Sequence, residues 1–453
     1  MYFHHALTVR EDICFGCFHC MNVCPTEAIR VIDGKASIYE NRCIDCGECF
    51  NACPVSAIVV EQDDFKTIFD FKHRVALLPS LLLGQFPNDV SLARIKSALI
   101  EIGFTHVFES ALTYELHNEV MSEYLKQNSD IKPLISPFCP AIVRLIQVKF
   151  PSLIHNIAMV KPSIDFAAIY ARKTLTDVGA IPDEIGVFYI TPCAAKIAAI
   201  KSPVGEKQSA INGSINLNFI YNKIYKIIKN QTKEKSNDYG LFTKKSISGS
   251  LTNGETNHTK GRCLAIDEIH NVIEFLEKIE NEEIKDIDFL ELRACDESCA
   301  GGILTVKNRF LAVEKIKKIA LSLPESVEKE TPLDIYKDYL KANSVMSKIK
   351  PRSMLKLDEN MVKAMSKMKK VRRVMCYLPG FDCGACGAPN CQALAEDIAQ
   401  KKADISNCVF MQMEMMKHKK LSPDHAYRII EKIWGKGRLD KNCKKKGAQN
   451  ENS

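Results

Sequence analysis

From residue 70 to residue 345, short apolar runs alternate with stretches whose apolar positions return every three or four residues. "RVALLPS" precedes "SLARIKSALIEIGF", "HVFES" precedes "TYELHNEVMSEYLKQ", and "IGVFYITP" and "FLELRAC" are further unbroken apolar runs. Such short runs predict buried strands, and the 3.6-residue recurrence predicts amphipathic helices between them. The alternation predicts an α/β domain over 70–345. Ahead of it, residues 1–62 hold two similar halves, "CFGCFHCMNVCPTEAI" and "CIDCGECFNACPVSAI", a repeat too small to fold without metal. Behind it, residues 346–370 are charged and predict a linker of low order. A compact cysteine unit follows at 371–412. The tail, 413–453, offers one amphipathic helix in "SPDHAYRIIEKIW" and is otherwise basic, polar and disordered in expectation. The fold class is therefore α/β and multidomain.

Composition sharpens this picture at the cysteines. The 453 residues are 46% hydrophobic and include 19 cysteines, most of them two to four positions apart with prolines close behind. That pattern predicts metal ligation rather than secreted disulfides. The start "MYFHHALTVREDIC" has no charged-then-apolar leader, and no apolar run approaches the ~20 residues of a membrane span. The expectation is a cytoplasmic protein with no membrane span. The net charge of +7 gathers toward the carboxyl end, in "SKMKKVRR" and "KNCKKKG", away from most cysteine loops. A zinc protein that binds nucleic acid needs the reverse arrangement, so no nucleic-acid partner is expected.

Cys14, Cys17, Cys20 and Cys24, then Cys43, Cys46, Cys49 and Cys53, each form a C-x2-C-x2-C-x3-C-P run. This is the pattern of bacterial two-cluster ferredoxins, whose fourth cysteine serves the other cluster. Cluster one then takes Cys14, Cys17, Cys20 and Cys53, and cluster two takes Cys43, Cys46, Cys49 and Cys24. Zinc also uses C-x2-C pairs, but the doubled quartets with trailing prolines favour two [4Fe-4S] centres.

Four cysteines of the middle domain lie in three distant segments: Cys139 in "SPFCP", Cys193 in "TPCAAK", and Cys295 with Cys299 in "ACDESCAGG". Each sits between a strand or loop and a turn or helix, so the three segments can converge to supply the four thiolates of one cube. The alternative is a set of buried structural cysteines. Their order and surroundings resemble the catalytic domain of the iron-only, or [FeFe], hydrogenases, whose motifs read approximately TSCCPAW, MPCxxKxxE and ExMACPGGCxxGGG. The resemblance extends to "LPSLLLGQFP" and "GFTHVFES".

The resemblance implies an iron-hydrogenase domain in which Cys139, Cys193, Cys295 and Cys299 hold a [4Fe-4S] cube. Cys299 is shared with a di-iron subcluster carrying carbon monoxide and cyanide. Lys196 matches a lysine that hydrogen-bonds one cyanide, and Pro79 with Ser80 match a loop that donates to the other. Lys196 and Cys299 are thus the implied catalytic pair, and Pro79, Ser80 and Lys196 the implied cofactor contacts. A charge-assisted donor holds an anionic group strongly in a dry pocket. Read without the motif, Lys196 is an exposed helix lysine, and Cys263 in "KGRCLAIDE" is a core thiol.

The departures matter too. Phe138 stands where the family has the thiol that passes protons, and a relay of that kind is worth roughly a hundred- to ten-thousandfold in rate. Thr191 and Arg293 replace motif methionines, Ala199 replaces a glutamate, and Asp296, Glu297 and Ser298 replace "PGG". Either a di-iron unit sits in an altered electrostatic setting or none is held.

Cys383, Cys386, Cys391 and Cys408 form a C-x2-C-x4-C-x16-C array on a glycine-bearing loop and the helical "APNCQALAEDIAQ". It resembles the small iron-sulfur domain of electron-transport subunits related to the Rnf complex, and implies a fourth [4Fe-4S] centre, with tetrahedral zinc as the alternative. Cys376 reads as a free thiol and Cys443 as a non-ligand. Sixteen of the cysteines then serve four cubes, an electron wire. The expected function is a slow, sensory or regulatory hydrogen oxidoreductase, with hydrogen and protons as substrates. Its expected partners are a ferredoxin-type or flavoprotein redox protein and a separate signalling protein. The alternative is an iron-sulfur carrier or scaffold without a di-iron site, like the eukaryotic cytosolic cluster-assembly factor that resembles hydrogenases.

Overall fold

A computed structural model describes residues 3–229, 239, 241–325, 331–354, 357–358 and 360–439; Cys443 lies outside the described residues. The chain divides into two compact units. One comprises Met1–Leu7, Ile44–Gly47 and Val60–Ser353, and the other Thr8–Cys43, Glu48–Val59 and Met354–Ser453.

The first unit is built on a four-stranded parallel sheet in the order His106–Glu109, His73–Leu78, Ile185–Thr191, Gly213–Asn216. Side chains alternate between its faces. Ala76, Leu78, Phe188 and Ile190 face the helices Leu92–Ile102 and Leu217–Ile228, in a core that includes Ile95, Leu99 and Ile220. Val75, Leu77, Val187 and Tyr189 face the helix Ser163–Asp177 through Ala167, Ala171 and Leu175. Helices therefore cover both faces, which is why these strands read as unbroken apolar runs. A second parallel sheet joins Cys263–Ile266, Phe289–Leu292 and Leu134–Ile135. The helices Leu92–Ile102 and Tyr114–Gln127 and the strands at 73–78, 106–109, 185–191 and 289–292 lie where the apolar pattern put them.

The second unit unites the two ends of the chain. An antiparallel hairpin, Ile29–Ile32 with Lys35–Ile38, turns at Asp33-Gly34, where φ is 50° and 71°, as a two-residue Asp-Gly turn requires. Gly387 O accepts from Val31 N at 2.8 Å, and the Asp33 and Gly34 N–H groups donate to Lys432 O (3.0 Å) and Ile433 O (2.9 Å). Two buried ion pairs reinforce the join: Arg30 Nε lies 2.5 Å from Asp397 Oδ2, and Arg42 pairs with Glu396. Residues expected to be a low-order linker contain the helix Met361–Met375. Its Val371 and Val374, followed by Leu378, pack with Leu394, Ala395 and Ile398. Three apolar residues on an otherwise cationic segment suffice once a partner helix is present.

Candidate metal and redox site

In the first unit, every segment expected to carry site residues emerges at the carboxyl end of a parallel strand. Pro79 and Ser80 follow His73–Leu78, Cys193 follows Ile185–Thr191, Cys139 follows Leu134–Ile135, and Cys295 follows Phe289–Leu292. Open α/β sheets place ligands at such ends. Cys139 caps the helix Pro140–Lys149, which has Pro at its first position, and Cys193 caps Ala194–Lys201. Both sulfurs therefore belong to residues at a helix amino terminus, where the backbone dipole favours negative charge.

The fold brings the four cysteines together. Burial pushes the Cys193 thiol up to about 11, with Lys196 opposing and Cys299 and Cys139 adding to the rise. Burial likewise drives Cys295 well above the ordinary thiol range, reinforced by Cys193, Cys139, Cys299 and Cys46. Thiols this close repel one another as thiolates, and that repulsion is what a cationic iron centre converts into ligation.

Lys196 is buried, and its Nζ lies 3.4 Å from Cys299 Sγ. Burial works against its charge, but Cys299, Tyr189, Cys193 and Cys139 outweigh it and raise the ammonium above its usual range. A cavity of about 30 Å³ beside Cys299 and Lys196 is lined also by Pro79, Ser80, Phe138 and Tyr114. Ser80 Oγ is 2.9 Å from Ser250 Oγ, and the Tyr114 hydroxyl is buried with no hydrogen-bond partner among the described residues.

Phe138 is buried between cations. The Arg293 guanidinium sits 3.5 Å from its ring centroid and Lys196 Nζ 5.0 Å. Arg293 Nη2 donates to Glu255 Oε2 (2.8 Å) and Glu291 Oε1 (3.2 Å). The Ser136 hydroxyl reaches the Glu255 carboxylate at 2.7 Å, and the Glu255 and Thr256 N–H groups donate to Glu291. A charged, fully paired layer thus borders the cysteine site. Ser250, Tyr114 and Glu255 lie in no motif visible in the sequence; Glu291 opens "ELRAC", where it reads as strand.

In the second unit, burial pushes Cys20 up to about 12, with Cys17, Cys14 and Cys53 contributing. Cys49 is raised by burial and then by Cys24, Cys43 and Cys20. The fold therefore gathers Cys14, Cys17, Cys20 and Cys53 in one group, and Cys24, Cys43 and Cys49 in the next. Cys46 belongs to the first unit. The two repeats match in detail: Ala28 N donates to Cys24 Sγ and Ala57 N to Cys53 Sγ, both at 3.2 Å.

At the carboxyl-terminal array, burial raises Cys386 to about 11. The Ala388 backbone opposes the rise, and Cys408 and Cys383 add to it. Cys391 and Cys408 share the core with Cys386, and Cys391 N donates to Asp382 Oδ1 at 2.7 Å. Gly387, at φ +80°, leaves no space for a methyl group, since a Cβ there would stand 2.4 Å from Val31 O.

Cys263 lies half-buried in the strand Cys263–Ile266, with Sγ 3.7 Å from Thr259 O and from Lys260 O. Cys376 is exposed and donates to Arg372 O. No helix among the described residues is long and apolar enough to cross a membrane.

Comparison with known proteins agrees with this geometry. Residues 80–231 match the model of the iron-only hydrogenase large subunit, C-terminal domain; residues 13–58 match a 4Fe-4S dicluster domain; and residues 378–410 match a putative Fe-S cluster domain. The hydrogenase match includes Ser80, Cys139, Cys193 and Lys196 and stops short of Cys295 and Cys299, which the fold brings to the same place. The NADP-reducing hydrogenase subunit HndD of Solidesulfovibrio fructosivorans is 23% identical over 225 residues, 47% of this chain and 34% of that protein. An uncharacterised protein of Methanocaldococcus jannaschii is 42% identical over 52 residues, 12% of this chain and 23% of that one. The matches thus span a third or less of these curated relatives' length. The [FeFe]-hydrogenase HydA1 from Chlamydomonas reinhardtii superposes with a TM-score of 0.48 at 16% identity, covering 62% of this chain and 96% of that one. The chain is a hydrogenase-like iron-sulfur protein in which a 4Fe-4S dicluster domain, an iron-only hydrogenase domain and a further Fe-S domain follow one another.

Proposed function

We propose that the protein is an iron-sulfur redox protein with four [4Fe-4S] clusters that handles hydrogen slowly, in a sensory or regulatory role. The reaction site would be a di-iron subcluster joined to the middle-domain cube through Cys299. The observation that carries this reading is the meeting of Cys139, Cys193, Cys295 and Cys299 at strand ends, with the buried Lys196 ammonium 3.4 Å from Cys299 Sγ.

The donor set suits the group. Cys139, Cys193 and Cys295 would hold the cube and Cys299 would be shared. Lys196 and the Ser80 hydroxyl border the same cavity and would donate to cyanide ligands, as charge-assisted and neutral donors respectively. Such a di-iron group, when bound, supplies the chemistry of making or splitting hydrogen. Phe138 moves no proton at this site; it excludes water from the side where the family has its thiol. Lys196 and Arg293, stacked on the ring, set a positive potential there, which favours more negative bound groups and raises their reduction potential. The dicluster and carboxyl-terminal domains would relay electrons to a ferredoxin-type or flavoprotein partner. A sensory output would pass to a separate signalling protein.

One observation favours a second reading. The cavity beside Cys299 measures about 30 Å³, room for roughly two waters, so a di-iron unit with diatomic ligands requires neighbouring side chains to move. An electron carrier or scaffold with the cube alone needs no such rearrangement. Infrared spectra of anaerobically matured protein separate the two. Bands of metal-bound carbon monoxide and cyanide are expected on the first reading, and their absence after competent maturation leaves the second.

A further inference from the structure

A chamber of about 90 Å³ in the first unit shares a wall with the cysteine site without belonging to it. Val143, Val204, Met346 and Ala199 make it apolar, and Phe138 and Ile164 line both this chamber and the cavity at Cys299. At residue 199 the hydrogenase motif carries a glutamate; the methyl group of Ala199 leaves that space open. Gln208, on the rim, is exposed to solvent.

Three charged side chains border the chamber, and two of them satisfy each other: Lys161 Nζ is 3.3 Å from Glu206 Oε1. The third, Asp165, lies in the first turn of the helix Ser163–Asp177. Its carboxylate has no hydrogen-bond donor among the described residues. Burial pushes that carboxyl up to about 7, with Lys161 opposing and Glu206 reinforcing. A carboxylate beside apolar walls without a donor is costly, and a cation or strong donor removes the cost. The three bordering charges sum to one negative, so a single positive charge balances them.

We propose that this chamber binds a small aliphatic amine in its ammonium form, with the nitrogen on Asp165 and the hydrocarbon against Val143, Ile164 and Phe138. An apolar cavity of ~150 Å³ accepts benzene, so the smaller chamber suits a chain of about four carbons. The amine abuts the ring that carries Arg293 and Lys196, and its binding is therefore felt at the cysteine site. The binding site stands whether or not a di-iron unit is present.

Anaerobic calorimetry of the cluster-loaded full chain with n-butylammonium chloride tests this, with ammonium chloride, n-butanol and sodium butyrate as comparisons. One saturable site for butylammonium is expected, with the others at least tenfold weaker. Asp165→Asn should weaken it tenfold or more. Ala199→Phe, which fills the chamber, should abolish it; both variants are checked for unchanged iron content. Saturation-transfer NMR on the unaltered protein should show the terminal methyl more strongly than the carbon next to nitrogen. No saturable binding, equal binding of ammonium or butyrate, or unchanged affinity in Asp165→Asn would overturn the proposal.

Discussion

Replacing Asp397 by alanine tests whether the two ends of the chain form one body. In the parent, Arg30 Nε donates to Asp397 Oδ2 at 2.5 Å, and both side chains are buried, at 3% and 8% exposure. Removing one partner of a buried pair leaves an uncompensated charge and costs about 3–5 kcal/mol. Arg30 keeps some support, since its Nη1 donates to Glu27 O (2.8 Å) and Ile29 O (3.1 Å), and its guanidinium lies 4.9 Å from the Tyr39 ring centroid. The lower limit, about 3 kcal/mol, is therefore expected, or roughly a hundredfold rise in the opening of this region. Native-state hydrogen exchange in the strand Ile29–Ile32, on anaerobic cluster-loaded protein, reads that opening directly. A double variant with apolar residues of similar size, Arg30→Met with Asp397→Leu, should recover more than half of the loss, because no buried charge is stranded. Exchange within tenfold of the parent in Asp397→Ala, or a double variant as loose as the two single variants combined, would refute the reasoning.

Three further outcomes follow from the geometry. Gly387→Ala forces a positive φ on alanine and drives Cβ toward Val31 O; it should cost more than about 1 kcal/mol and loosen the carboxyl-terminal cluster, seen as faster iron loss to a chelator. The Asp165 carboxyl is raised on folding from 3.8 to about 7, so its contribution favours the native state below pH 4 and is lost as pH rises through 7. Asp165→Asn should accordingly gain in melting temperature over the parent between pH 5 and 8, and a gap that is constant with pH contradicts this. Phe138→Cys should raise hydrogen turnover by roughly a hundredfold or more in protein shown by infrared to hold the di-iron group; no change there would mean that proton delivery is not what limits the parent.

Residues with a local signature were legible in the sequence. Ile185–Thr191 is apolar at every position because helices cover both faces of its sheet, so its run could be read without partners. The thiols at 14–24, 43–53 and 383–391 are local ligand sets whose spacing alone announces metal. Cys139 needed the order of three remote motifs, and the parallel strands that carry those motifs to a common edge explain why its neighbours are distant in the chain. Other features had no local trace. Arg293 reads as a misplaced charge in an apolar motif until Glu255, more than thirty residues away, is seen to pair with it. The helix Met361–Met375 looks like a solvated basic link because the surface it packs on, Leu394 and Ile398, lies beyond the cysteine loop. Nor does anything near Arg30 announce Asp397, since a buried ion pair leaves no periodicity in the chain.

The central claim is that Cys139, Cys193, Cys295 and Cys299 grip one cube, and iron analysis with electron paramagnetic resonance of the reduced double variant Cys193→Ala with Cys295→Ala meets it most directly. The account predicts about four fewer irons per chain than the parent, one cluster signal lost and the others unchanged. Parent-level iron with every cluster signal intact would contradict it.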